Sequence, residues 1–208
     1  MFFGYLVHTF TKQFFMKRIF LPVLLIALLA SGNLFAQVSG GVRVGGNLSN
    51  LHYTDGGDIS ESDDSKIGPL FGLYLTAMFS DQFGIQPELV YSAMGSKDGD
   101  AKLKLNYIAL PVLARYQVAE QFHILLGPQI GFIASAKYVE GDYDEDIKED
   151  VESLDVSGVI GVGADFDRFN VGLRYALGFT SMFDSAEGDI KVKNRALQLV
   201  LGYRLFGN

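Results

Sequence analysis

The segment Ser157–Phe179, SGVIGVGADFDRFNVGLRYALGF, reads as two strands that fold back on each other at Asp167 and Arg168. If Phe166 faces Phe169, then Ala164, Val162 and Ile160 face Val171, Leu173 and Tyr175, and one face is wholly apolar. The other face pairs Asp165 with Asn170, Gly163 with Gly172 and Gly161 with Arg174. Strand side chains alternate with period two, so one register explains both faces. A soluble sheet buries its apolar face and wets a charged one. Here the polar face is mostly glycine with single charges, which suits a transmembrane barrel with lipid outside and a narrow polar interior.

The same alternation recurs along the chain. Strands are expected over Val38–Leu51, Pro69–Phe79, Phe83–Met94, Leu103–Gln117, Phe122–Lys137 and Asn194–Phe206, with the 157–179 hairpin supplying two more. Pairing Phe79 with Phe83 puts Phe71, Leu73, Leu75, Ile85, Leu89 and Tyr91 on one face, and matches Thr76 with Gln86 and Tyr74 with Glu88 on the other. Ile108, Leu110, Val112, Tyr116, Ile124, Leu126, Ile130 and Phe132 take the outer parity, while Tyr107, Arg115, Gln117, His123 and Gln129 take the inner one. Short turns alternate with mostly long, hydrophilic loops at 53–66, 138–153 and 180–193. The expected fold is all-β, an eight-stranded antiparallel up-and-down transmembrane β-barrel. A soluble ligand-binding barrel is the rival, but it would leave rows of Leu, Val and Tyr in water. Pro87, Pro111 and Pro128 fall inside expected strands, where each removes a ladder donor, so bulges are expected beside them.

The longest apolar run, IFLPVLLIALLA at 19–30, is too short for the roughly 20 residues of a spanning helix. It follows Met16-Lys17-Arg18 and precedes a small residue at Ala36, the layout of a secretory signal peptide. Residues 1–36 are therefore expected to be a leader, with Met16 as the functional start, and 37–208 the barrel. The absence of cysteine excludes disulfides, thiolate metal sites and an N-terminal lipid on cysteine. The leader holds Lys12, Lys17 and Arg18 and no acid, so its removal takes the 17 basic residues to 14 against 24 acidic ones, a net of −10. Nucleic acid is not expected as a partner at that charge.

Several short motifs carry a family likeness: Gln86-Pro87-Glu88-Leu89 before Tyr91-Ser92, Tyr107-Ile108-Ala109-Leu110-Pro111 before Arg115-Tyr116, Gly127-Pro128, Gly172-Leu173-Arg174-Tyr175, and the terminal Leu201-Gly202-Tyr203-Arg204-Leu205-Phe206. The chain resembles the small outer-membrane β-barrel domain proteins called "porin family" or PorT-like, related in shape to OmpA- and OmpX-type barrels. That resemblance implies a location in the bacterial outer membrane and assembly through periplasmic chaperones and the barrel-insertion machinery. Where this family often has Glu between the Tyr and Pro of the fourth strand, the chain has Ala109, so an ion pair through that Glu is absent.

The inner parity collects Arg43, Tyr74, Gln86, Glu88, Arg115, Gln129, Asp165, Arg174 and Arg204. An eight-stranded barrel is just wide enough for side chains to fill it, and buried charges persist when paired. These residues are expected to form a polar plug, with Gly161 and Gly163 leaving room for Arg174. No catalytic residue, cofactor or metal site is expected. His123 reads as a hydrogen-bonded filler near the turns, and His52 lacks an identifiable triad partner. Asp142, Asp144 and Asp146 imitate a calcium loop, but Ile147 stands where that loop needs Gly and Ser153 where it needs Glu. The expected function is that of a monomeric, non-enzymatic membrane scaffold or surface-interaction protein. Its partners would be outer-membrane lipid and lipopolysaccharide, and an extracellular partner at the acidic loops. A narrow pore for ions or small solutes is the alternative, and a barrel enzyme using His52 comes third.

Overall fold

The computed structural model describes residues 37–55, 58–62, 64–141, 143–151, 153–181 and 191–207. The expected leader, residues 1–36, and most of the loop at 180–193 lie outside the described residues. Ten strands follow in order: β1 (Gln37–Asp55), β2 (Asp58–Ser62), β3 (Asp64–Met78), β4 (Phe83–Asp98), β5 (Ala101–Gln117), β6 (Phe122–Glu140), β7 (Tyr143–Asp146), β8 (Leu154–Phe166), β9 (Phe169–Gly178) and β10 (Lys191–Phe206). Eight of them form the wall in the cyclic order β1, β3, β4, β5, β6, β8, β9, β10, every neighbour antiparallel. β10 returns to pair with β1 from Gly40↔Phe206 to Thr54↔Lys191, which closes the barrel and removes both sheet edges.

Hairpin β8–β9 holds the register that its alternation dictates, from Phe166↔Phe169 through Gly161↔Arg174 to Ile160↔Tyr175. Asp167 turns the chain with φ 52, a left-handed conformation that aspartate tolerates better than most side chains. The outward parity exposes a belt of Val, Leu, Ile and aromatic side chains around all eight strands. On the turn side the belt ends in a ring of Phe79, Phe83, Tyr116, Phe122, Phe166, Phe169, Tyr203 and Phe206, with ring centroids 4.9 Å apart for Phe83–Tyr116 and 5.2 Å for Phe169–Tyr203. Such a belt and girdle match a hydrocarbon layer and its interface.

Two expectations change. The strands on the loop side run farther than the alternation suggested: β1 continues to Asp55, β3 begins at Asp64, and β2 and β7 pair onto β1 and β6 as short hairpin arms. Backbone pairing there continues above the apolar belt, because polar side chains serve a solvated ladder as well as apolar ones. The prolines, secondly, sit in the wall without bulges. The β3–β4, β4–β5 and β5–β6 ladders each skip two rungs beside Pro87, Pro111 and Pro128 and resume in the same register. A missing N–H costs a ladder bond but imposes no extra residue. The register shifts occur elsewhere, at Gly40/Gly41, Tyr53/Thr54, Ser65/Leu70 and Asn106/Tyr107.

Candidate functional site

The barrel interior holds the chemistry-bearing side chains, and its turn-side half is a connected polar network. Arg43 of β1 donates from Nη1 to Glu88 Oε1 at 2.7 Å, and Arg174 of β9 donates from Nη1 to Oε2 at 2.9 Å. The three side chains are only 2 %, 0 % and 4 % exposed, so Glu88 of β4 is shared across the lumen by two guanidinium groups. Gln86 Nε2 also donates to Glu88 Oε1 at 2.7 Å. The Gln86 carbonyl in turn accepts from Thr76 Oγ1 at 3.1 Å and from Arg115 Nη1 at 3.3 Å. Gln86 therefore links this triad to a second group nearer the turns.

That second group is Arg115, which pairs with Asp165 and donates from Nη2 to Gln117 Oε1 at 3.0 Å. His123 Nδ1 lies 3.1 Å from Asp165 Oδ2, so the carboxylate bridges a guanidinium and an imidazole. The Arg43 guanidinium stacks over the Tyr74 ring at 4.5 Å, and the Tyr74 hydroxyl accepts from Asn170 Nδ2 at 3.0 Å. A cavity of about 350 Å³ opens at the turn end and is lined by Tyr74, Thr76, Arg115, Asp165, Asn170 and Arg204. Arg204 stands at its rim and donates to the Asp167 carbonyl at 2.9 Å. Gln129 stays apart from this network and donates to Ser157 Oγ at 3.1 Å.

Glycine makes room for two of these side chains rather than one. A Cβ at Gly161 would fall 2.8 Å from Arg174 Cγ, whereas at Gly163 it would fall 2.4 Å from His123 Nε2. Gly163 therefore accommodates the imidazole, a correction to its expected service to Arg174.

The loop-side half of the interior is built around an apolar cluster, with Ser49, His52 and Asn194 buried beside it. Leu51, Met94, Leu105, Tyr107, Ile133, Ala136 and Val192 form one buried cluster that runs down to Leu113 and Leu125. Val151 belongs to it and Ile147 packs against it, so the acidic segment that follows β7 folds its two aliphatic side chains into the barrel mouth. Backbone bonds hold the segment there: Ile147 N–H donates to the Ala136 carbonyl at 3.0 Å and Ile133 N–H to the Ser153 carbonyl at 2.9 Å. A single 3-10 turn, Lys148–Asp150, spans the distance between the two anchors. Parity alone puts Leu105, Leu113, Leu125 and Ile133 indoors. The signal for them is the runs apolar on both faces, such as Ile124-Leu125-Leu126, which mark two-sided burial.

Outside the wall, Lys137 Nζ meets Asp144 at 3.0 Å, and the Tyr143 hydroxyl donates to Glu145 Oε2 at 2.9 Å. The bond to Glu145 and the charge of that carboxylate raise the Tyr143 phenol above its ordinary pKa. His52 is buried, opposite Lys193 of β10 and Ser62 of β2 in the ladders. Among the described residues no group of three or more His, Asp or Glu side chains is arranged to hold a metal ion.

The family model of the outer membrane protein beta-barrel domain matches residues 35–184, most of the chain. The chain belongs to this outer-membrane β-barrel family. No curated protein sequence matches it. Among solved structures, Neisserial surface protein A aligns with a TM-score of 0.51 at 12 % identity, over 80 % of this chain and 97 % of that one, and shares the fold. Ail, the attachment invasion locus protein of Yersinia pestis, aligns at 18 % identity over 81 % of this chain and 99 % of its own, with a TM-score of 0.46. OprG of Pseudomonas aeruginosa aligns at 14 % identity over 81 % and 94 %, with a TM-score of 0.36. Membership of the outer-membrane β-barrel family, with a closed eight-stranded wall and a lipid-facing belt, makes this a bacterial outer-membrane protein.

Proposed function

We propose that this barrel is a non-enzymatic outer-membrane scaffold, closed to solutes, that presents its acidic loops as an interaction surface. The observation that carries the reading is the double filling of the lumen. The Arg43–Glu88–Arg174 triad spans the turn-side half, and the cluster around Leu105 and Ile133 occupies the loop-side half. A conducting path would have to displace both, and the first is held by charge-assisted bonds in a medium of low dielectric. The interaction surface would then be the loops at 53–66, 138–153 and 180–193.

Single-channel conductance of the refolded barrel in a planar bilayer tests this. The native protein should not conduct, and a Glu88→Ala, Arg174→Ala variant should still be held shut by the apolar cluster. Steady native conductance would instead make the inner charges a selectivity lining. That narrow-pore reading draws its support from the 350 Å³ cavity, which leads from the turn end to Tyr74 beneath Arg43.

A further inference from the structure

Above the apolar belt, the outer face of β4, β5 and β6 carries four lysines set against each other. Lys97 stands directly opposite Lys102, and Lys104 directly opposite Lys137. Lys102 and Lys104 share the outward parity of Ile108 and Leu110, and opposed residues of a ladder share a face, so all four point away from the lumen. Opposed Cβ atoms are only about 5 Å apart, and like charges placed so destabilise the ladder. Lys137 has a carboxylate at hand in Asp144. Among the described residues no carboxylate lies within ion-pair distance of Lys97, Lys102 or Lys104; Asp64 stands directly opposite Lys97 across the β3–β4 ladder, which leaves Lys102 and Lys104 with no acidic residue opposite them. In a chain with 24 acidic and 17 basic residues, this concentration of unneutralised cations is anomalous.

Height supplies the explanation. Lys104 is four residues beyond Ile108, about 13 Å along a strand and less along the tilted barrel axis. A lysine stem can lie back toward apolar surface while its ammonium stays at the polar boundary. We propose that Lys97, Lys102, Lys104 and Lys137 form a docking site for the phosphates of outer-leaflet lipid headgroups, as carried by a phosphorylated glycolipid. The occupant arrives from the membrane rather than from solution. A soluble polyanion would have to pass the loop tip, where exposed Asp144, Glu145, Asp146 and Glu149 repel it, whereas a lipid headgroup approaches from below. The headgroup supplies the negative charge that Lys102 and Lys104 lack across their ladders, so the like-charge pairs become a binding feature.

The test uses the whole barrel refolded into vesicles of phosphatidylcholine, alone or mixed with lipopolysaccharide, beside a Lys97→Gln, Lys102→Gln, Lys104→Gln variant. Retention of lipopolysaccharide through detergent extraction should fall about fivefold for each lysine removed. A Lys148→Gln control on the loop tip should retain as much as the native barrel. In pure phosphatidylcholine the triple variant should unfold at the same urea concentration as the native barrel or a higher one, since the like-charge repulsion is gone. Equal retention by native and triple variant would overturn the site. Lower stability of the variant in the neutral lipid would overturn the repulsion argument. Heparin bound by the native barrel in neutral vesicles, with no retention of lipopolysaccharide, would overturn the membrane source.

Discussion

The two halves of the lumen solve one packing problem by opposite means. On the turn side, Glu88 is shared by Arg43 and Arg174, and Gln86 ties that triad to Arg115 and Asp165. On the loop side, Leu105, Tyr107, Ile133 and their neighbours fill space without such a network of charges. A polar filling is intolerant of single losses, because each removed partner leaves a charge stranded in low dielectric. An apolar filling degrades gradually, in proportion to the volume lost. The difference teaches that the lumen holds its shape by complementarity below and by bulk above.

Glu88→Ala should have the largest effect. It strands two guanidinium groups and should lower stability by about 3–5 kcal/mol, read as a fall in the urea midpoint in detergent micelles. Replacing the whole triad with Arg43→Met, Glu88→Leu and Arg174→Met should recover most of that loss, since a well-packed apolar substitute for a buried ion group is often neutral or better. If the triple variant were as unstable as Glu88→Ala, the two halves would not be interchangeable solutions. Leu105→Ala comes next, at about 2–5 kcal/mol depending on how far the cluster collapses around the hole. Its loss should leave the hydrogen-exchange protection of β1 and β9 near Arg43 and Arg174 unchanged. Coupled loss there would break the division into halves. Pro128→Val should do least: it restores a donor to the β5–β6 ladder, worth about 1 kcal/mol, offset by the freedom it returns to the unfolded chain. New amide protection at the skipped rungs is the measurement, with the midpoint nearly still.

The wall was legible because its signal is local. In Ser157–Phe179 a two-residue turn and a glycine-rich inner face leave one register, and the structure has it, residue for residue. Parity also put Arg43, Glu88, Arg115, Asp165 and Arg174 on the inner face. What parity could not choose was partners. Glu88 and Arg174 are 86 residues apart on strands that are not ladder neighbours, so their meeting depends on how the closed ring brings opposite walls together. His123 against Asp165 is by contrast a contact between neighbouring strands, since β6 pairs with β8 and places His123 directly opposite Gly163, but no short turn joins those two strands to fix that register in the sequence. The apolar half was missed for a different reason. Leu113, Leu125 and Ile133 alternate with outward Val112, Ile124 and Phe132, so contrast between the faces vanishes where both are apolar. Ile147 and Val151 were hidden by their acidic neighbours, although their spacing of four suits one turn that points both the same way.

If the acidic loop is the interaction surface proposed above, those two anchors govern how it meets a partner. A loop tied down only at its ends loses conformational freedom when a partner grips it, at a cost of roughly 1–2 kcal/mol for each backbone residue ordered. With Ile147 and Val151 seated in the barrel mouth, much of that ordering is completed during folding. The carboxylates of Asp144, Glu145, Asp146 and Glu149 are thus displayed as a preset pattern of charge, and a partner at that proposed surface would bind selectively without being slowed by a search for shape.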